Sequence, residues 1–212
     1  MPSEHPLGRL WVRLKARLRP APIHTAEALQ TFLRERAAYI AQKSAVDYCR
    51  GKTGLASYAL FEEETFVRAL EICRWESFVA VLGDLFILAE GLLRVHVPPE
   101  HQPRLREAFA ARYAAILDAR PPPPHRAQEG WGAVAQEFSL RLQAASLRAP
   151  QPAADLADHS ARRMFDTLPI HSSMRELDEE VVYGSVRFRM VAVNQEMQRR
   201  VAAAAVASQL IA

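Results

Sequence analysis

The most apolar stretch of the chain, Phe78 to Ala89, contains a single ionisable residue, Asp84. A carboxylate buried there must find a cation or take up a proton, because leaving water penalises its charged form. The preceding helical segment supplies candidates. Lys43 and Asp47 border its apolar stripe, and Arg36 lies upstream of them. The expected arrangement is an Asp84–Lys43 or Asp84–Arg36 pair that locks two helices together. The same four residues, Asp84, Lys43, Arg36 and Asp47, are also the natural polar floor of a pocket in a bundle core. Structural ion pairs perturb ionisation as much as catalytic ones do, so the lock is the preferred reading.

Other chemistry finds less support. Gly51-Lys52-Thr53 repeats the end of a phosphate-binding loop, but Val46 stands where that motif needs its first glycine. The segment also follows a helix, whereas the motif follows a strand. His96, Glu100 and His101 are three potential metal ligands, but Pro98 and Pro99 between them mark an exposed loop. There is no Glu-x-x-His, His-Glu-x-x-His or Cys-x-x-Cys, and neither metal nor cofactor is expected. No Gly-x-Ser-x-Gly occurs, and His171 beside Ser172 and Ser173 reads as helix capping, since triads are assembled across space. The two cysteines, Cys49 and Cys73, lie in apolar helical contexts and read as inert core thiols. Two cysteines form no disulfide framework, and they suit a reducing compartment. No residue is assigned a catalytic role.

The second concentration of chemistry is the N-terminus. Leu7, Leu10, Trp11, Leu14 and Leu18 fall on one helical face, and Arg9, Arg13, Lys15, Arg17 and Arg19 occupy the rest of the circumference. The net charge of the chain is +3, and residues 7–20 carry +5, so the remainder is −2. Basicity therefore belongs to one short arm. An amphipathic basic helix of this kind lies in an anionic membrane interface or docks on a protein partner. Each cation near anionic lipid contributes about 1 kcal/mol. An organelle transit peptide is a further reading, weakened by Glu4 and the scarcity of serine. The slightly acidic body argues against a specific nucleic-acid face, leaving the arm only weak, non-specific binding.

These residues need helices to position them. Ala, Leu, Arg and Glu are plentiful and glycine is scarce, which favours helix. Pro20 and Pro22 end the arm. Thr25 is the expected N-cap of a helix running to about Arg50 and stopped by Gly51, with Leu29, Leu33, Ala37, Ile40, Ser44 and Tyr48 on its inner stripe. From Phe66 to Val95 the pattern is helical and apolar nearly all round, the mark of a buried central helix. Helices are predicted over 104–119, 131–147 and 154–168, with Pro121 to Pro124 as a polyproline spacer. Ser173-x-x-Glu176 has capping-box spacing for a helix reaching Val201. The alternation at Val186 to Val191 is read as helix because no partner strand is evident. Residues 202–211 form a last short helix. The dense charges from Arg162 and Arg163 to Glu180 read as a solvated face or a docking surface.

The expectation is an all-α protein: a single bundle of about six helices around a buried central helix, preceded by a basic amphipathic helix. Residues 1–22 are the arm and 23–212 the globular domain. The best candidate window for a transmembrane segment, Ser77 to Leu93, carries Asp84 and Glu90, so no such segment is expected. The expected role is a non-catalytic interaction or assembly protein, cytoplasmic, with peripheral attachment to an anionic membrane surface or a protein partner through the arm. The alternative is a small-molecule-binding protein or enzyme with a bundle-core site around Asp84.

Overall fold

The computed structural model describes residues 21–212, and among these the regular structure is helical. Seven helices carry the fold: α1 (Ala26–Thr53), α2 (Glu64–Arg94), α3 (Gln102–Asp118), α4 (Gly132–Ser146), α5 (Ala153–Thr167), α6 (Glu179–Arg200) and α7 (Ala203–Ile211). Single helical turns at Ser57–Leu60 and Ser172–Arg175 lie between them.

The local signals explain most boundaries. Thr25 caps α1, its hydroxyl accepting from the Ala28 N–H at 3.1 Å. The Glu63 carboxylate caps α2 in the same way, accepting from Phe66 N–H at 3.1 Å. Two boundaries differ from the sequence expectation. Helix α1 runs through Gly51 and ends at Gly54, whose φ of 54° lies in the left-handed region that favours glycine. The stop belongs to the glycine that adopts that conformation, and Gly51 is simply helical. The capping signal at Ser173 opens only one turn, for which the His171 ring accepts from the Ser173 N–H at 3.3 Å. The chain then restarts at Glu179, and Val186 to Val191 is helical within α6.

Helix α2 contacts each of the other six helices. Every residue from Val79 to Gly91 is buried, as an all-round apolar pattern demands. The inner stripe of α1 is buried as its periodicity required, from Leu29 to Tyr48. Helices α1, α4 and α5 pack against α2, and α6 closes the bundle over α5 and α1. An aromatic cluster ties α2 to α3 and α4: Phe86 meets Phe109, Tyr113 and Phe138 edge-on, while Tyr113 and Phe138 stack at 4.0 Å. Such pairs contribute about 0.5–1.5 kcal/mol beyond the area they bury.

The two ends of the described chain are tied together. Ile23 forms a parallel bridge with Val201, its N–H donating to Arg200 at 2.8 Å and its carbonyl accepting from Ala202 at 2.9 Å. The Gln209 side chain reinforces the join through Ala26 N–H and the His24 carbonyl.

Candidate functional site

Helix α2 carries three buried carboxylates, Glu76, Asp84 and Glu90, and the first two lie about 12 Å apart along its axis. Asp84 is fully buried. Its Oδ1 accepts from Arg141 Nη2 of α4 at 2.5 Å, and its Oδ2 accepts from the Ser160 N–H of α5 at 3.2 Å. His159 of α5 brings Nδ1 to 3.5 Å from Oδ1, and that nitrogen is buried with no hydrogen-bond partner among the described residues. Glu76 collects more. Its Oε1 meets Arg126 Nε at 2.5 Å and His125 Nε2 at 2.9 Å, and its Oε2 accepts from Arg126 Nη2 at 2.7 Å and from Arg163 Nε at 3.0 Å. Burial alone would raise the Glu76 carboxyl. The hydrogen bonds from Arg126, His125 and Arg163 outweigh burial and bring it down to about 2. Arg126 is raised in return, chiefly by its hydrogen bond to Glu76.

The partners of Asp84 are not those expected from the sequence. Arg36 pairs with Glu196 at 2.7 Å, and Lys43 pairs with Asp47 at 2.8 Å within α1. Asp47 also accepts from Arg189 of α6 at 2.9 Å. These residues form the seam between α1 and α6. Asp84 leaves α2 on the side that α4 and α5 cover, so no polar group of α1 reaches it. Asp84 instead joins α2 to α4 and α5, through Arg141 and Ser160.

Arg141, His159 and Arg163 also line a cleft of about 210 Å³, together with Gly83 and the Tyr113 and Phe138 rings. Gly83 matters here for space. A Cβ at that position would meet Phe138 Cδ2 at 3.3 Å and Arg141 Nη1 at 3.6 Å, so the bare backbone lets the ring and the guanidinium close over α2. Arg162, Glu137 and Asp166 complete the charged lining, and Glu137 stands 3.2 Å from His159 Nε2. Asp84 and Glu76 lie behind the cleft wall and hold its cations in place. Arg141 spends Nη2 on Asp84, and Arg163 spends Nε and Nη2 on Glu76. The remaining N–H groups of both guanidiniums have no acceptor among the described residues.

Sequence reasoning singled out Asp84 and missed Arg141, Glu76 and Arg163. Glu76 carried a signal, an acid between Trp75 and Phe78 on the face that also bears Cys73 and Ala80. Arg163 sits in the segment read as a solvated face or a docking surface, where its side chain is half-exposed and its guanidinium meets a buried carboxylate. Arg141 gave no signal, because an arginine on an amphipathic helix looks the same whether it faces water or an acid. Cys49 and Cys73 are buried free thiols, both raised by burial, Cys49 to about 12. The arm residues Arg9, Leu10, Trp11, Arg13, Leu14, Lys15, Arg17, Leu18 and Arg19 lie outside the described residues. Among the described residues, no helix is long and apolar enough to cross a membrane. No group of three or more His, Cys, Asp or Glu side chains there is gathered as a metal site. No protein-family model, curated protein or solved structure matches the chain.

Proposed function

We propose that this chain is a small-molecule-binding helical protein whose cleft between α2, α4 and α5 receives a compact anion with a flat apolar part. The observation that carries this reading is the double anchoring of the cleft's cations. Asp84 fixes Arg141 and Glu76 fixes Arg163, each leaving donors without acceptors on the lining of one cavity. Donors held by buried carboxylates lose little freedom when a ligand arrives, which is the basis of preorganised recognition. The stacked Tyr113 and Phe138 rings supply an apolar wall for a planar group. The absence of a catalytic constellation in the sequence places binding ahead of turnover.

Benzoate and phenyl phosphate are suitable probes, with benzyl alcohol as the neutral control. Both anions are expected to raise the melting temperature at millimolar concentration, and benzyl alcohol is not. Arg162→Gln alters a mostly exposed lining residue, so loss of the effect in that variant and in Arg163→Gln, with unchanged far-UV circular dichroism, supports the cleft as the site. An equal shift in wild type and both variants, or no shift at all, refutes it.

A second reading rests on the segregation of charge, +5 in residues 7–20 against −2 elsewhere. The arm would tether the protein to an anionic membrane surface or to a protein partner, as an interaction or assembly module. Removal of residues 1–20 is then expected to abolish co-sedimentation with anionic vesicles or recovery of a partner. Unchanged behaviour of the shortened chain in both assays overturns it.

A further inference from the structure

A larger concavity lies on another side of α2, between α1, α2 and α3, with a volume of about 510 Å³. Along α1 it extends from Gln30 to Gln42, about 18 Å of helix axis. Its floor is aromatic and aliphatic: Trp75, Phe78, Trp131 and Ile116. Trp75 lies against both Phe78 and Trp131, with ring centroids 5.9 and 6.1 Å away.

The rim is charged. It carries Arg34, Arg74 and Arg120 with Glu35 and Glu71, one net positive charge. Arg74 donates to Gln42 at 3.0 Å, while Arg34 and Arg120 have no acidic partner among the described residues. A second observation is independent of the rim. Trp131 is 6% exposed and lines the groove, and its indole N–H is buried with no acceptor among the described residues. A buried donor without an acceptor is rare in a folded protein, and this one belongs to a residue of the groove lining.

We propose that this groove is a second binding site, separate from the arginine cleft, for an amphiphilic monocarboxylate with an extended alkyl chain. The aromatic floor takes the chain, since apolar burial is the main source of its affinity. The length of the groove suits an extended chain better than a compact ring system. A net charge of one on the rim suits one carboxylate, and Glu35 and Glu71 disfavour a polyanion. The arginine that receives the carboxylate gains a charge-assisted hydrogen bond. The proposal does not depend on the reading given to the cleft.

The chain has three tryptophans, and Trp11 lies in the arm, so the full-length Trp11→Phe protein emits from Trp75 and Trp131 alone. Titration with ω-bromoundecanoate below its micelle concentration is expected to quench that emission saturably, the bromine acting at short range. Arg74→Gln combined with Arg120→Gln is expected to weaken binding by about tenfold or more. Ala38→Phe, at an exposed position of α1 that lines the groove, is expected to abolish quenching by filling it. Arg162→Gln, in the cleft, is expected to leave it unchanged. Ala38, Arg74, Arg120 and Arg162 are exposed, and matching far-UV circular dichroism checks the fold of each variant. The proposal is overturned by the absence of saturable quenching, by equal affinity in the Arg74/Arg120 variant, or by a loss that follows Arg162→Gln instead.

Discussion

Glu76 is the residue on which pH acts most directly. Its folded carboxyl is brought to about 2 against an ordinary value of 4.5. A depressed acid stabilises the folded state above its unfolded pKa and loses that contribution as pH falls toward the folded value. Unfolding free energy is therefore expected to decline between about pH 4.5 and pH 2, and the Glu76→Gln variant to show a flatter profile across that window. Urea titrations at stepped pH decide it, and parallel profiles for the two proteins count against the assignment. Glu90 behaves oppositely. Burial raises its carboxyl, opposed by Arg94 and Arg106, and its Oε1 has no hydrogen-bond partner among the described residues. Its contact with Arg94 Nε is long, at 3.7 Å, so the buried acid is only partly compensated at neutral pH, and Glu90→Gln is expected to stabilise the protein at pH 7 by on the order of 1 kcal/mol. At this scale the sequence was legible in part. An acid in an apolar run announces itself, which is why Asp84 stood out. The identity of its cation does not, because the partner is chosen by which helix lies across from it, and that is settled by packing over dozens of residues.

Among the elements, α4 has an unusual terminus. Its last carbonyls are gathered by Arg94 from the end of α2, whose guanidinium donates to Ala145 at 3.4 Å, to Ser146, and to Arg148 at 3.0 Å. A cation at a helix C-terminus satisfies orphan carbonyls and complements the dipole. Arg94→Met keeps most of the apolar stem and removes the donors, so it is expected to cost about 2–3 kcal/mol. The loss should appear as faster amide exchange in residues 142–148 before the rest of the bundle, and uniform acceleration would argue against a local cap. Element boundaries were readable wherever a single side chain makes the cap, as at Thr25. They were misread where two residues compete for one role. Gly51 and Gly54 are alike as letters, and only the path of the chain into the Ser57 turn selects the second. Ser173 has the capping spacing, yet the turn it opens is too short to carry the downstream helix.

For the molecule as a whole, the all-round apolar pattern of Phe78 to Ala89 was enough to foresee a helix with neighbours on every side, and α2 does contact all six others. A pocket near Asp84 was the alternative reading of the sequence, but with a lining from α1 that the cleft does not have, and the groove beside α1 and α3 was not foreseen. Both lie where residues from several helices meet, and a pattern read along one helix holds no information about the gap among them. The join of Ile23 to Val201 was equally invisible, since nearly the whole described chain lies between its two halves. That join has a consequence for the order in which the molecule assembles. Closing a loop of this length costs about 5 kcal/mol of chain entropy, whereas two backbone hydrogen bonds contribute about 1 kcal/mol each. The bridge therefore cannot nucleate folding. It sets after the intervening helices have brought its halves together, and it opens before they separate. The amides of Ile23 and Ala202 should exchange as a pair, and sooner than those of Val81 and Leu82 in α2; equal protection at both places would contradict this order. The arm accordingly departs from the part of the bundle that closes last, so a pull on residues 1–20 would be felt first by the join and only later by the core.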